Sequence, residues 1–426
     1  MGTEITLAVL RKQGCRSRRS VHALEWLNFF LADVQTGLGP FLAAYLAASG
    51  WSPGRVGLAL SLGGIVTVVL QTPAGGVVDA VRRKRATLAI GVGALATGAL
   101  VLATNTSVVS VCLAQLLIGG AAPFLAPMLA AMTLGIVGPR CFDRQFGRNQ
   151  GFNAAGNVFT ALLVAIVSRF FGNRAIFIAA ALLAVPTLLS IAAIKGEEID
   201  YGLARGATSN KAQTDSIQIS RFGVVFSDRV LLALFVCSCL FHLANAAMLP
   251  QLGEMLSQHN VKSAAPFMSA CVIVTQVVIM LSAAWLARLA SSIGRRPLLL
   301  LGFGILPIRS ILYTVVAGAV PLIAIQILDG VANAIFGVVT MLVVADRTRG
   351  TGRFNLAQGA LATVVGIGAA LSTTIGGALI QHFNYRASFL GLAAIAFLAF
   401  VLLWLSVPET LPTASDTFSE KNALAL

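Results

Sequence analysis

Long apolar runs separated by short polar segments follow one another along the chain. The runs fall at about 22–47, 54–78, 86–104, 107–138, 150–170, 174–195, 229–252, 263–289, 297–317, 320–345, 355–380 and 386–407. About 20 mostly apolar residues suffice for a helix to cross a bilayer. Helices are the expected spanning form, because a backbone in lipid must satisfy its own hydrogen bonds and these runs are too long for barrel strands. The pattern predicts an all-α membrane protein with twelve transmembrane helices, numbered here as spans 1 to 12.

The composition excludes a soluble globular domain. Of the 426 residues, 57% are hydrophobic and only 11% are charged, and the mean hydropathy is +0.86. A soluble domain carries roughly 25% charged residues. The six cysteines have no metal-ligand spacing, and the sequence contains no phosphate-binding loop and no nucleophile–base pair at a useful spacing. We therefore expect no enzyme activity, no cofactor, no bound metal and no ATP hydrolysis by this chain alone.

The basic residues set the expected orientation. The chain has 30 Lys and Arg against 16 Asp and Glu, and most of the basic residues lie in the leader 1–21 and in alternate short loops on one side. The positive-inside rule makes that side, with both termini, cytoplasmic. The leader is read as a cytoplasmic anchor rather than a cleavable signal peptide. We expect a multi-pass protein of a prokaryotic inner (plasma) membrane that does not bind nucleic acid.

The chain divides into two halves that resemble each other. Its longest polar stretch, 196–228, is a cytoplasmic loop between six spans at 22–195 and six spans at 229–407, and a cytoplasmic tail, 408–426, follows. The matched segments are QLLIGGAAPF and QILDGVANAIF in spans 4 and 10, DRQFGRNQGFN and DRTRGTGRFNLAQG after them, and GGVVDAVRRKR and ARLASSIGRRP after spans 2 and 8. An internal repeat in a membrane protein indicates a transporter whose site lies between the halves.

The loop after span 2 carries a signature of a glycine, a few apolar residues, an aspartate and a basic cluster. Its residues are Gly75, Val77, Asp79, Arg83 and Lys84. With this signature in a frame of twelve spans and a central loop, the chain resembles the major facilitator superfamily. The resemblance implies two pseudo-symmetric six-helix bundles around a central cavity that opens alternately to each side of the membrane.

The corresponding loop of the second half departs from this signature. It keeps Gly294, Arg295 and Arg296 but has Ser291 at the aspartate position, and in the first half Arg82 replaces the usual glycine. The resemblance implies that both loops hold a cytoplasmic gate through charge pairs and helix-end contacts. The alternative is that the basic cluster serves only as a topological anchor.

Two further departures limit what the resemblance implies about coupling and direction. The family often has an arginine in span 4 that is linked to proton coupling, whereas this chain has Gln115 at the matching place. Span 5 reads GFNAAGNVFTALLVAIV, without the Gly-Pro-rich motif that is common in exporters of the family. Neither proton coupling nor export direction therefore follows from a motif.

Four spans carry polar side chains along one face when each residue advances the helix by about 100°. These residues are Glu25, Asn28, Asp33, Gln35 and Thr36 in span 1, Gln326, Asp329, Asn333 and Thr340 in span 10, Asn149, Asn153, Asn157 and Thr160 in span 5, and Asn355 and Thr373, with several glycines, in span 11. An ionised carboxylate at mid-bilayer costs at least about 2.5–3.5 kcal/mol, so the stripes are expected to face a wet cavity or a buried partner. In the family, helices 1, 4, 7 and 10 line the cavity, which suits the stripes of spans 1 and 10. Those of spans 5 and 11 suit the neighbouring wall and the contact between halves.

The carboxylates in the spans are candidates for proton coupling. Desolvation favours the protonated form of a carboxylate, so Asp33, near mid-membrane, could bind and release a proton as the cavity changes side; the alternative is a structural, hydrogen-bonded group. Glu25 either shares this role or pairs with a basic leader residue at the interface. Asp329 either carries a proton or forms a structural ion pair with Arg309 of span 9, and the ion pair is the favoured interpretation.

Polar residues at cavity-lining positions are candidates for substrate contact. They are Asn28, Thr36, Gln115, His242, Asn245, Gln326 and Asn333. For His242, a packing histidine with satisfied hydrogen bonds is an equal alternative.

These features predict a monomeric secondary active transporter that moves a small organic molecule by alternating access. The first hypothesis for its mode is proton-coupled efflux, because of the carboxylates and because exporters are common in the family. Proton-coupled uptake of a small metabolite is the alternative, and the missing export motif favours it. A hypothesis from another class is a membrane sensor or scaffold that transports nothing.

Overall fold

The computed structural model describes most of the predicted spans. It describes residues 18–36, 53–206, 227–259 and 261–411, and between the first two ranges residues 42, 45, 46 and 49–51. The backbone of 33–36 is helical, whereas the side chains of Asp33 and Thr36, two of the predicted site residues, lie outside what is described.

The described residues are predominantly helical. The α-helices are α1 Arg18–Thr36, α2 Pro53–Ala80, α3 Lys84–Thr104, α4 Val108–Phe171, α5 Asn173–Ala193, α6 Arg229–Asn245, α7 Met248–His259, α8 Val261–Ile293, α9 Arg295–Val315, α10 Ala319–Thr348, α11 Phe354–His382 and α12 Tyr385–Ser406. Two 3₁₀ turns, Gly196–Glu198 and Leu203–Arg205, follow α5.

The helix α4 contains predicted spans 4 and 5 and the segment between them. Gly138 has φ 71° and ψ 170°, which breaks the helix into a first arm, 108–137, and a second arm, 139–171. The predicted loop at 139–149 is therefore wrong, since these residues are helical. Pro139 suits the first position of a helix, where its missing N–H costs nothing. The polar residues that suggested a loop include Gln145 and Asn149, which bond to protein groups instead of solvent.

The outer surface is apolar, as expected for a surface that faces lipid. In the described part of the chain, ten helices are long and apolar enough to cross a membrane, with α4 counted as one, the start of α7 counted together with α6, and α1 not counted. Large apolar side chains on several of these helices are exposed. Examples are Leu58, Val69, Leu182, Leu281 and Val320. A soluble protein rarely exposes contiguous apolar surface on this scale.

Each half of the chain has its own apolar core. In α1–α5 the buried side chains include Leu24, Leu27, Leu88, Leu125 and Met128. In α6–α12 they include Phe235, Phe241, Phe303, Leu342 and Phe389, and Phe142 and Phe146 of the second arm of α4 join this second core. The first half thus reaches into the second through α4.

The halves meet along two helix pairs, α2 with α11 and the second arm of α4 with α8. A Cβ added at Gly75 would overlap the backbone carbonyl of Asn355, and one at Gly147 would overlap the side chain of Ala287. Glycine permits such close approach because it has no side chain. Both contacts lie at the end of the molecule that holds turns 81–83 and 349–353 and Gly294, which we call the basic end.

Candidate functional site

Two adjoining cavities lie between the halves. Together with the space open to solvent at their mouths, the first encloses about 500 Å³ and the second about 440 Å³. The first is lined by Asn28, Ala126, Leu129, Ala130, Thr133, Phe146, Asn149, Gln150, Asn153, Met341 and Gln358. The second is lined by Gln150, Asn153, Ala154, Asn157, Gln276, Ile279, Asn333, Ala334, Gly337 and Val338. Since Gln150 and Asn153 border both, the two cavities form one site to which both halves contribute.

Amide side chains dominate the polar lining of this site. They are Asn28, Asn149, Gln150, Asn153 and Asn157 from the first half and Gln276, Asn333 and Gln358 from the second. None of the lining residues that the structure describes carries an ionisable side chain. Each amide offers a carbonyl acceptor and an NH₂ donor, so the walls can both donate and accept hydrogen bonds without carrying net charge.

Two amides at the junction of the cavities make long hydrogen bonds to protein groups. Asn153 Nδ2 donates to the backbone carbonyl of Asn28 at 3.4 Å, and Asn157 Nδ2 donates across the halves to Gln276 Oε1 at 3.5 Å. Within the described residues, Gln150 has no hydrogen-bond partner, although it is half-buried. A polar group in such a position needs water or a ligand to replace the lost hydration.

A charge cluster around the buried carboxylate of Glu25 lies next to the first cavity. Glu25 is 2% exposed and contacts His22 Nδ1 at 3.0 Å and Arg148 Nη2 at 2.9 Å. Gln145 donates both to Glu25, at 3.2 Å, and to Asn149, at 2.9 Å. The contacts of Glu25 thus come from within α1 and from α4, and through Gln145 they lead to the amide Asn149 in the cavity wall.

A second buried charge cluster lies in the other half. Arg309 Nη1 contacts Asp329 Oδ1, and both residues are largely buried. Asp329 also accepts hydrogen bonds from Thr275 Oγ1 at 3.1 Å and from Asn333 Nδ2 at 2.8 Å. Arg309 Nη2 donates to Asn245 Oδ1 at 2.5 Å. Asn333 therefore connects a neutralised ion pair to the second cavity.

Four residues predicted to contact substrate lie away from the cavity walls. Gln115 donates to the carbonyl of Ala59 at 2.9 Å, and Gln326 donates to the Tyr313 hydroxyl at 2.8 Å. His242 Nδ1 lies 3.2 Å from the carbonyl of Ser238, and its ring packs against Phe241 and Phe336. Asn245 reaches the site only through its bond to Asn333 at 3.4 Å. Of the predicted substrate contacts with described side chains, Asn28 and Asn333 line the cavities.

Six of the eight amides in the lining were outside the predicted substrate contacts. Asn149, Asn153 and Asn157 were recognised as a stripe on span 5 and assigned to the wall. Gln150, Gln276 and Gln358 were not singled out, because they lie outside the polar stripes identified in the sequence. Their common signal is residue type: they are glutamines in apolar helices, half-buried at 150 and 276 and buried at 358.

At the basic end, Asp79 of α2 caps the N-terminus of α11. Its carboxylate accepts hydrogen bonds from the backbone N–H of Leu356 at 2.9 Å and of Asn355 at 3.3 Å, and from Asn355 Nδ2 at 2.7 Å. The first N–H groups of a helix have no partner within it and carry a partial positive charge, so a carboxylate there is stabilising. This cap joins the first half to the second.

The two basic residues after Asp79 have different surroundings. Lys84 is 1% exposed, and its Nζ donates to the carbonyl of Val78 at 2.6 Å, which closes the turn between α2 and α3. Arg83 is exposed at the position that precedes α3.

In the second half, Arg295 holds the corresponding contact. Its guanidinium lies 2.5 Å from Asp143 Oδ2 of α4 and 3.1 Å from Asp346 Oδ2 of α10, and its side chain is 3% exposed. Ser291 Oγ also donates to Asp143, at 2.8 Å. The contact with Asp143 crosses between the halves.

The start of α9, next to this contact, has a carboxylate cap of its own. Glu409 accepts from the backbone N–H of Arg295 at 2.8 Å and of Arg296 at 3.1 Å. The preceding residue, Gly294, has φ 106°, which a residue with a side chain rarely adopts. Burial alone would raise the pKa of Glu409, but the backbone N–H groups of Arg295, Leu411, Arg296 and Thr410 donate to it and hold its pKa below the ordinary value.

Comparison with known proteins agrees with this architecture. The sequence matches the Major Facilitator Superfamily over residues 26–306 and 277–425. An uncharacterised MFS-type transporter of Mycobacterium tuberculosis, found in two strains, is 39% identical over 393 residues, which are 92% of this chain and 94% of that relative.

Solved structures show the same fold. The human organic anion transporter MFSD10 (TETRAN) superposes with a TM-score of 0.68 at 18% identity, over 91% of this chain and 99% of that one. The nucleoside transporter NupG superposes with a TM-score of 0.63 at 15% identity, over 91% and 100%. The family and fold predicted from the sequence are thus confirmed. The chain belongs to the major facilitator superfamily of membrane transporters.

Proposed function

We propose that this protein is a secondary active transporter that moves a small organic molecule by alternating access, with the amide-lined cavities as its binding site. The observation that carries the proposal is that both halves contribute to one polar site inside an otherwise apolar molecule. A substrate bound there contacts both bundles, so a rocking motion of one half against the other can expose it to either side. The moving bodies in this proposal are 22–195 and 229–407.

The basic end faces the cytoplasm of an inner (plasma) membrane in this proposal, and the protein acts as a monomer. The positive-inside rule supports this orientation. The gate then consists of the two loops at the basic end, with Gly75, Asp79, Arg83, Lys84, Gly294, Arg295 and Arg296 as its residues. The cap on α11 and the Arg295–Asp143 contact support this role, since each joins the two halves at that end. The structure then corresponds to a state closed toward the cytoplasm.

Proton-coupled efflux is the mode we propose, with Asp33, Glu25 and Asp329 as the candidate proton carriers. Two observations support a link between carboxylates and site. Glu25 is joined to the cavity amide Asn149 through Gln145, and Asp329 is joined to the cavity amide Asn333. Protonation of either carboxylate would weaken its contact with a basic partner, Arg148 or Arg309, and so change the packing behind the cavity wall.

Alternating access can be tested without a known substrate. One spin-label pair, at Arg82→Cys and Arg349→Cys, spans the basic end; a second, at Asn105→Cys and Ala317→Cys, spans the opposite end. All four positions are exposed, and the native cysteines are first replaced by serine. In proteoliposomes we expect two distances for each pair, with opposite population changes at the two ends. A single distance at each end under every condition would contradict the transporter proposal and favour a scaffold.

The same labels test proton coupling. Shifting the pH from 8 to 5.5 should move the populations of both pairs in the otherwise unaltered protein. Asp33→Asn and Glu25→Gln are compared with it, because each removes one titratable carboxylate while nearly keeping its shape. If populations ignore pH in all three proteins, proton coupling is wrong. If each variant responds like the parent, coupling remains but those two carriers are excluded.

A further inference from the structure

From the cavity walls we infer that the transported molecule is uncharged and polyhydroxylated, of the sugar or polyol class. This inference rests on the proposed function, since it assigns a substrate class to the same site. It begins from Gln150, which borders both cavities and has no partner within the described residues. A primary amide presents a donor and an acceptor side by side, and two neighbouring hydroxyl groups offer the matching acceptor and donor.

The other amides around Gln150 extend this pattern across the halves. Asn153 and Asn157 lie on the same arm of α4, and Gln276 and Asn333 face them from α8 and α10. The 3.5 Å bond from Asn157 to Gln276 is long for a hydrogen bond, so a ligand with better-placed hydroxyl groups can replace it. Several amides that converge from two sides suit a molecule with hydroxyl groups on several of its faces.

The nearby charges leave no counter-ion for a charged substrate. Glu25 is paired with Arg148 and His22, and Asp329 is paired with Arg309. A charge that leaves water for a site without an opposite charge loses several kcal/mol of hydration that neutral dipoles only partly replace. Anions and cations should therefore bind more weakly than neutral molecules of the same shape.

The amides also disfavour an apolar ligand. A site built to hydrogen-bond a substrate rejects an analogue that lacks the matching groups, because its own polar groups then remain unpaired.

The test measures the melting temperature of the purified full-length protein with matched compounds. Sorbitol, gluconate and glucamine share a six-carbon polyol chain and are neutral, anionic and cationic, respectively. Glucose and sucrose extend the neutral set, and tetraphenylphosphonium represents apolar cations. A ligand that binds only the folded state raises the melting temperature as its concentration exceeds its dissociation constant. We expect stabilisation by neutral polyhydroxylated compounds, with at least tenfold weaker binding of their charged analogues.

Variants of Gln150, at the junction of the two cavities, test whether these compounds bind at the proposed site. Gln150→Ala should weaken binding of the best neutral compound about tenfold or more, which corresponds to about 1.4 kcal/mol. Gln150→Glu keeps the shape and adds a negative charge, so it should improve binding of glucamine relative to sorbitol. The control is Gln381→Ala, at an exposed glutamine near the end of α11, which should change neither.

Preferential stabilisation by gluconate, glucamine or tetraphenylphosphonium would overturn this inference, as would a complete lack of stabilisation by sorbitol, glucose and sucrose. An unchanged affinity in Gln150→Ala would also overturn it. The spin-label distances separate the two proposals, because they need no ligand. Two-state behaviour at both ends without polyol binding refutes only the substrate class, whereas a single state refutes the transporter itself.

Discussion

The two halves meet at the basic end through related loops but opposite charges. From the first half, the Asp79 carboxylate reaches the backbone and side-chain N–H groups at the start of α11. From the second half, the Arg295 guanidinium reaches Asp143 at the start of the second arm of α4. In the sequence repeat the residue that matches Asp79 is Ser291, and it too contacts Asp143. The two halves therefore make this contact at equivalent positions, with a carboxylate in the first half and a guanidinium and a hydroxyl in the second.

This difference predicts that the two contacts have unequal strength. In the first contact, the single carboxylate of Asp79 accepts hydrogen bonds from uncharged N–H groups. Such an N-terminal cap typically stabilises a helix by about 0.5–2 kcal/mol. Arg295 instead neutralises two carboxylates, Asp143 and Asp346, that are mostly buried. Removing the basic partner of a buried pair leaves uncompensated charge and typically costs about 3–5 kcal/mol. We therefore expect the contact from the second half to control closure of the basic end.

The largest effect is expected from Arg295→Gln. With Asp143 and Asp346 left without their common cation, the closed arrangement should lose about 3 kcal/mol, which is about a hundredfold in population. The distance between spin labels at Arg82→Cys and Arg349→Cys should then shift almost entirely to the longer value.

The matched control for this variant is Arg288→Gln, near the end of α8. Arg288 is exposed and is not among the proposed gate residues. It should leave the distance distribution unchanged. Equal shifts in the two variants would mean that the loss of positive charge matters and the contact with Asp143 does not.

The next effect is expected from Asp79→Ala, which removes the cap on α11. The closed state should lose about 1 kcal/mol, within the range for such caps, so the longer distance should become more populated without dominating. Asp79→Asn keeps one oxygen acceptor and should produce a smaller change. A shift as large as that of Arg295→Gln would contradict the ranking of the two contacts.

The sequence predicted the fold well because apolar length and positive loops are local properties. Spans 8 to 12 correspond closely to α8–α12, whose bounds differ from the predicted ones by a few residues. The segment after span 4 was assigned wrongly, because DRQFGRNQ is polar enough to suggest a loop. Its Gln145 instead donates to Glu25, which is far away in the sequence. Its Asn149 donates to Thr133, on the other side of the kink at Gly138.

The site was harder to predict, because a stripe specifies a face of a helix but not what that face meets. The stripe of span 10 contains both Asn333, in the cavity wall, and Gln326, which turns to Tyr313 inside the second half. Gln115 likewise bonds to Ala59 within the first half. Only the packing of neighbouring helices separates these cases, and a single sequence carries no direct record of it.

A smaller effect is expected at Ser291, which tests why the repeat lacks its second aspartate. Ser291→Ala removes one hydrogen bond to Asp143 and should cost the closed state about 1 kcal/mol or less. Ser291→Asp restores the signature residue but places a carboxylate beside Asp143, so like charges should oppose each other and open the basic end further than the alanine variant. If Ser291→Asp closes the basic end more firmly, the serine is not an adaptation to Asp143.

The smallest effect is expected from the cap that only the second of the two loops has. Glu409 accepts from the first N–H groups of α9, whereas the N-cap residue of α3, Arg83, makes no side-chain cap. Because the folded pKa of Glu409 lies below its ordinary value of 4.5, the cap stabilises the protein above pH 4.5 and is lost only as the pH falls through the lowered pKa.

Amide exchange at Arg295 and Arg296 should therefore stay slow at pH 4.5 and accelerate at lower pH, after correction for the intrinsic rate. In Glu409→Gln this pH step should disappear, while the N–H groups at the start of α3 should show no such step in either protein. A step that persists in the glutamine variant would exclude Glu409 as the titrating group, and the difference between the two loops would then depend on Arg295 alone.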